Sequence, residues 1–366
     1  MKVLHIAHGA PGGIGRVELL LARVWANDDT FEVDTIRRRT YPRYLQGPSR
    51  KAPAAMGRLR WALTIARACL RSRADVVILN HLNLTPAALL IRCFRPSSRV
   101  VVWAYGVEAW RRPDGWRRIG LRQVDQVWSI SAYTASTFSG AAGFPRDRIT
   151  VVPLALLPER AQALGRPHLA DDGGDRRYEV LTVSRLTKID EAKGIDHLIQ
   201  ALAATPSSVH LRVVGDGDDR PRLERLARAA GVASRVTFSG QVDDATLIEL
   251  YRRCSLFALP SVREGFGLVF LEAMAAAKPV IAARAAALPE LVRDGETGLL
   301  VPFSDRQALA AAINALVADP ALAAILGNRG RQRVLREFGF HRFAGQIAEL
   351  LAKLRRAGPI PISSGG

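Results

Sequence analysis

Short apolar runs alternate with amphipathic stretches of helical period along most of the chain, the rhythm of parallel sheets whose strands are joined by helices. In the first half, Val3–Ala7, Phe31–Ile36, Asp75–Leu79, Val100–Ala104, Gln126–Ile130 and Thr150–Pro153 read as strands, and Arg16–Ala26, Met56–Arg71 and Ala132–Ser139 as helices. Within Met56–Arg71, Leu59, Ala62, Leu63, Ala66 and Leu70 recur at helical spacing, with Arg60, Arg67 and Arg71 on another face. An apolar stripe of this kind rests on its own sheet or on lipid headgroups. Around Glu159–Arg177 the periodicity stops and Pro, Gly and Asp gather, which marks a linker. A second series follows, with strands Glu179–Ser184, His210–Val214, Arg235–Phe238, Leu256–Ala258 and Pro279–Ala282. Between and after them lie helices Ile195–Ala204, Pro221–Ala230, Ala245–Arg252, Leu268–Ala277, Asp305–Ala318, Pro320–Arg336 and His341–Arg355. The expected organisation is therefore two doubly wound α/β domains, 1–160 and 175–337, a last helix near 338–357, and a disordered tail, 358–366.

Composition narrows the class. Apolar residues make up 48% and charged residues 23% of 366 positions, as in a globular protein. Cys69, Cys93 and Cys254 form no C-x-x-C pair, which fits a reducing compartment and excludes a disulfide scaffold. Met1–Ala7 is interrupted too soon by Gly9 for a signal peptide, and no run of eighteen apolar residues exists to span a membrane. The net charge of +18 is unevenly placed: residues 1–160 hold 25 Lys/Arg against 11 Asp/Glu. Between Arg37 and Arg73 there are eleven basic residues and no acid. Such a field implies an anionic partner. An anionic membrane surface suits it better than nucleic acid, for which no helix-turn-helix or aromatic platform is present.

The candidate chemistry concentrates in Pro260-Ser261-Val262-Arg263-Glu264-Gly265-Phe266-Gly267-Leu268, followed by Glu272. A glycine-bearing turn that opens a helix offers backbone N–H groups and a favourable dipole to phosphate. Glu272, eight residues after Glu264, falls near the same side of the helix axis, and carboxylates beside a phosphate cradle accept hydrogen bonds from sugar hydroxyls. Arg185, just after a strand, and Lys193, before Gly194, are two cations suited to a diphosphate, with Lys188 as a fallback. Gly12-Gly13-Ile14-Gly15 follows the first strand and opens a helix, but Glu18 stands where a dinucleotide fingerprint has its third glycine, which weakens a nicotinamide-dependent reading. Asp216-Gly217-Asp218 resembles a metal-binding D-x-D, yet no other acid or histidine cluster backs it, and no metal is expected.

The acid–Gly–Phe–Gly turn with its second Glu resembles the signature of glycosyltransferase family 4, retaining enzymes of the GT-B fold. Val183-Ser184-Arg185-Leu186, Lys193-Gly194-Ile195-Asp196, Val214-Gly215-Asp216-Gly217, Phe238-Ser239-Gly240 and Leu288-Pro289-Glu290-Leu291-Val292 extend the resemblance, in the family's order, through the C-terminal half. The resemblance implies two Rossmann-like domains facing across a cleft, with the last helix crossing back to the N-terminal domain. It implies Glu264, Arg185 and Lys193 as catalytic residues. Donor binding falls to Gly265, Phe266, Gly267, Leu268, Glu272, Gly215, Gly240 and Val242, with Glu272 on the ribose. The loop Gly12, Gly13, Ile14 and Gly15, with Tyr105, would serve the acceptor and its approach to the phosphates. The partners implied are a nucleotide-diphosphate sugar, which is a substrate rather than a cofactor, and a lipid-linked or oligosaccharide acceptor. With the basic first half, this places the chain in the cytoplasm, peripheral on the inner face of the membrane, in polysaccharide or lipopolysaccharide assembly. Three departures stand out: Tyr105 where many members have histidine, Ala286-Ala287 where two glycines are usual, and Pro153-Leu154-Ala155 in place of Pro-Asn-Gly. They leave a non-catalytic nucleotide-sugar or polyanion-binding protein as the alternative.

Overall fold

The computed structural model describes residues 1–7, 9, 13–37, 57–166 and 177–356. They form two compact units, Met1–Ala155 with the segment from Phe340 onward, and Leu156–Gly339.

In the first unit the chain runs β1 (Lys2–Ala7), α1 (Gly13–Ala26), β2 (Glu32–Arg37), α2 (Arg58–Ser72), β3 (Val76–Leu79), α3 (Ala87–Phe94), β4 (Arg99–Ala104), α4 (Gly115–Leu121), β5 (Gln126–Ser129), α5 (Ala132–Ala142) and β6 (Ile149–Val151). The strands form one parallel sheet in the order β2-β1-β3-β4-β5-β6. Both faces of its central strands are buried, as expected of a parallel sheet covered on each side. One face packs Leu4, Ile6, Val77, Val100 and Val102 against Trp61, Ile65, Ile91, Leu121 and Phe138 of the helices. On the other strand positions, Trp103 stacks on Phe343 with ring centroids 6.4 Å apart.

The helix expected over Met56–Arg71 begins at Arg58 and packs differently from the sequence pattern. Trp61, Ile65 and Cys69 are its buried stripe, whereas Leu59, Leu63 and Leu70 are exposed. The helix thus carries two apolar faces, and periodicity alone selected the outer one. The short helices α3 and α4 were not foreseen; α3 is apolar but for Arg92 and shows no polar face to set a period, and α4 is only seven residues long.

The second unit contains α6 (Pro158–Leu164), β7 (Tyr178–Val183), α7 (Ile195–Ala201), β8 (Val209–Val214), α8 (Arg220–Ala229), β9 (Val236–Gly240), α9 (Asp244–Arg253), β10 (Leu256–Leu259), α10 (Leu268–Ala275), β11 (Val280–Ala283), α11 (Leu288–Leu291), β12 (Leu299–Val301), α12 (Arg306–Ala318) and α13 (Pro320–Glu337). Its parallel sheet runs β12-β11-β10-β7-β8-β9. The strand order reverses between β7 and β10, which places a crevice beyond their carboxyl ends, the usual ligand position in open α/β sheets. The segment expected as linker is helical over Pro158–Leu164 and packs on α9 and α10, because Pro158 starts a helix well and Leu164 finds a buried seat. Linker residues 167–176 lie outside the described residues, as does the tail from 357.

The last helix, α14 (Phe340–Arg356), belongs to the first unit. It buries Phe343, Ile347 and Leu351 against that unit's sheet and α1, and Gln346 donates to the Val151 carbonyl at 2.8 Å.

Candidate active site

The carboxyl end of β10 leads into the loop Pro260–Gly267 and then α10. Phe266 anchors the loop: it is buried and meets Phe338 edge-to-face at 5.7 Å. Gly267 caps the helix with φ 100°, and no side chain caps the first turn. Helix amides at that end are thus not competed for by a capping side chain. Gly265 and Leu268 remain half-buried at the loop surface.

Beside this loop lies a short 3-10 turn, Lys188–Lys193, that follows β7. The Val262 amide donates to the Ala192 carbonyl at 2.9 Å. A Cβ on Gly194 would come within 2.5 Å of the Pro260 carbonyl, and its φ is +71°, so only glycine permits this approach. The consequence is chemical. Lys193 Nζ meets Glu264 Oε1 at 2.5 Å, with both side chains largely covered. Sequence reasoning placed these two residues in one site, and the fold brings them into contact.

Arg185, by contrast, is 79% exposed and pairs with Asp190 at 3.2 Å. Asp190 also accepts from the Thr187 hydroxyl at 2.7 Å, so it ties Arg185 to the start of the 3-10 turn. Gly215 stands at the end of β8 with φ +127°, and an added Cβ would lie 1.8 Å from the Ser184 carbonyl. Its amide donates to the Gly240 carbonyl at 2.8 Å. Ser184-Arg185, Gly215 and Gly240 therefore converge at the carboxyl ends of β7, β8 and β9, and half-buried Val242 precedes α9. Asp216 and Asp218 turn to backbone amides, those of Gly217 at 2.9 Å and Lys188 at 3.2 Å. Among the described residues no group of three His, Cys, Asp or Glu could hold a metal.

Glu272 is placed differently from expectation. It is fully buried and receives Arg160 Nε at 2.6 Å, while Arg160 Nη1 reaches Asp244 at 3.2 Å. Burial opposes the Arg160 charge, but Glu272 and Asp244 outweigh it and raise the guanidinium pKa above its ordinary value. Arg160 was missed because it lies in the segment read as linker. The single available signal was the Pro158-Glu159 helix start.

In the first unit, Gly13, Ile14 and Gly15 form the first turn of α1, and Gly12 lies outside the described residues. Tyr105 follows β4, is buried, and donates to Asn80 Oδ1 at 2.6 Å. Asn80 Nδ2 donates to Glu18 Oε1 at 3.3 Å, which also accepts from the Gly9 amide at 2.9 Å. Glu18, the residue that breaks the dinucleotide fingerprint, thus ties together the carboxyl ends of β1, β3 and β4. Burial, then the nearby Glu18 and Glu108 charges, push the Tyr105 phenol well above its ordinary range, so it stays a neutral donor. Glu108 accepts from the Tyr105 and Gly106 amides at 2.8 and 3.2 Å.

Two parallel six-stranded sheets with a phosphate-type loop at the switch point of the second define a GT-B architecture. Residues 11–160 match the family described as Glycosyltransferase Family 4, and residues 173–333 match Glycosyl transferases group 1. Over 279 residues the chain is 33% identical to a GDP-mannose-dependent alpha-(1-6)-phosphatidylinositol monomannoside mannosyltransferase of Mycobacterium tuberculosis, covering 70% of each protein. The Mycolicibacterium smegmatis protein of the same name is 34% identical over 255 residues, and the lipopolysaccharide core biosynthesis glycosyltransferase LpsE of Rhizobium meliloti 34% over 178. The matches span 66% and 49% of this chain but only 65% and 52% of those relatives. Among solved structures, sucrose-phosphate synthase from Thermosynechococcus elongatus superposes with TM-score 0.76 at 25% identity, over 98% of this chain and all of that one. Anabaena HepE in complex with UDP gives 0.74 at 24%, over 96% and 100%, which shows the fold. The chain belongs to glycosyltransferase family 4, with a group 1 glycosyl transferase second half.

Proposed function

We propose that the chain transfers a sugar, with retention of anomeric configuration, from a nucleotide diphosphate to a hydroxyl of a lipid-linked or glycan acceptor in cell-surface polysaccharide assembly. The observation that carries this reading is the Lys193–Glu264 pair, whose two loops meet at the Gly194–Pro260 contact. A cation from the loop after β7 thus meets a carboxylate of the loop after β10, which runs directly into the free amides of α10. In the proposed complex Lys193 and Arg185 neutralise the diphosphate, and the amides of Gly265 to Leu268 hold its distal phosphate. Glu264 accepts from the sugar hydroxyls. The leaving phosphate oxygen takes the acceptor proton as the hydroxyl attacks the same face of the sugar, so positioning and charge neutralisation supply the catalysis. For Glu272 to accept from the ribose, the Arg160 guanidinium has to give way, and nucleotide binding is expected to release that ion pair.

The acceptor reading draws on the first unit. Leu59, Leu63 and Leu70 stand exposed on α2, with Arg60, Arg67 and Arg71 also exposed beside them. An apolar stripe flanked by arginines suits an anionic membrane face, and supports a peripheral position on the inner side of the cytoplasmic membrane. The relatives named for mannolipid and lipopolysaccharide core synthesis support the same acceptor class. The rest of the basic stretch, 38–56, lies outside the described residues.

The test is a panel of UDP-, GDP- and ADP-sugars scored by thermal shift and then by transfer and hydrolysis. Glu264→Ala is expected to lower turnover by about 10²-fold or more while keeping a cooperative melting transition, its midpoint lowered by the covered charge left on Lys193. Wild-type turnover in that variant would overturn the assignment. Donor binding without turnover on any acceptor would favour a non-catalytic nucleotide-sugar-binding protein.

A further inference from the structure

A pocket of about 580 Å³ opens in the first unit between the ends of α4 and α5 and the segment leading into β6. It lies at the amino ends of β5 and β6, the opposite edge of the sheet from Gly9, Asn80 and Tyr105. Four arginines line it, Arg112, Arg118, Arg122 and Arg148, and no acidic residue does. Helix C-termini attract cations, which is a sufficient reason for one arginine here. Arg118, in the last turn of α4, fills that part, whereas Arg148 is bound elsewhere: it donates to the Asp125 carbonyl at 2.8 Å and to the Val124 carbonyl in the connection from α4 to β5, and sits 5.0 Å over the Phe144 ring. Of the acids nearby, Asp125 is taken by Arg92 and Arg99 and Asp114 by Arg117, while Asp147 is exposed and outside the lining. Among the described residues the side chains of Arg112, Arg118 and Arg122 make no hydrogen bond or ion pair. Three exposed guanidinium groups without a side-chain partner leave their donors open to an anion at this concavity.

We infer that this pocket binds a multiply charged phosphate group. Guanidinium forks match phosphate oxygens two at a time, and the volume suits a phosphorylated small molecule or headgroup better than a lone ion. Trp116 and Ile119 stand 69% and 43% exposed on α4 beside the pocket, the arrangement of an interfacial anchor, so the phosphate comes from a lipid headgroup or from solution. The inference does not depend on the transferase reading, since the donor loop lies in the other unit.

The experiment titrates inorganic tripolyphosphate calorimetrically into the full chain carrying Arg185→Ala and Lys193→Ala, which removes the donor phosphate site. Adding Arg112→Ala, Arg118→Ala and Arg122→Ala is expected to weaken binding at least tenfold. Because these side chains are exposed, the melting temperature is expected to hold; single Arg118→Ala and Arg122→Ala variants repeat the measurement if the triple variant does not fold. Co-sedimentation with phosphatidylglycerol vesicles, against phosphatidylcholine alone, separates the sources. Loss of vesicle binding in the triple variant marks a headgroup site, and loss of tripolyphosphate binding alone marks a soluble phosphate. Unchanged binding of both probes, or a lowered melting temperature with unchanged binding, overturns the inference in favour of simple helix-end complementation.

Discussion

Glu272 and Arg160 show how far a side chain's neighbours control its chemistry. A fully buried carboxylate is tolerable only with a partner, and Arg160 supplies it from a helix more than a hundred residues earlier in the chain. Arg160→Ala is therefore expected to cost about 3–5 kcal/mol, read as a fall in the denaturation midpoint. The double variant Arg160→Met with Glu272→Met is expected to recover most of that stability while losing nucleotide affinity. A double variant that binds nucleoside diphosphate like wild type would remove Glu272 from the ribose site. Glu264 and Lys193 were legible from local pattern because both lie within a few residues of the glycines that shape their loops. Arg160 was not, since nothing local distinguishes a buried arginine from a solvated one.

The elements of the first unit carry two buried histidines. Burial, reinforced by Arg37, lowers the His5 pKa to about 4; burial, reinforced by Arg117, does the same to His81. His81 Nδ1 accepts the Asn83 amide at 2.9 Å and must be unprotonated to do so. The unfolded chain binds protons near pH 6.5 where the folded one does not. Stability is thus fully present above pH 6.5 and lost toward pH 4, by up to about 3 kcal/mol for each histidine. Chemical denaturation at stepped pH is expected to show this acid limb, and His81→Asn, which keeps an acceptor for the turn, to flatten it by about one proton. An equal slope in that variant would locate the acid sensitivity elsewhere. At this level α2 carried the main misreading. Its sequence holds two apolar stripes, Trp61-Ile65-Cys69 and Leu59-Leu63-Leu70, and hydrophobic periodicity does not say which one meets the sheet.

Across the whole molecule, the two sheets differ at their carboxyl edges. The second unit gathers Ser184-Arg185, Lys193, Gly215 and Glu264 at the carboxyl ends of its strands, whereas the first unit closes its corresponding edge with Glu18, Asn80 and Tyr105. Hydrogen exchange with saturating nucleoside diphosphate is expected to protect amides of 183–194, 214–219 and 260–272 and to leave β1, β3 and β4 unchanged. Protection centred on Gly9 and Tyr105 instead would move the donor to the first unit and reverse the roles proposed for the two halves.

Strand and helix alternation, the glycine-bearing loop and its acid were set locally, because period, turn residues and helix starts depend on a few neighbouring side chains. Strand order, the Lys193–Glu264 contact, the covering of Glu272 by Arg160 and the grouping of arginines beneath β5 and β6 required the chain to be packed. Each joins residues far apart in sequence through excluded volume and desolvation, forces that act only once the sheets have formed.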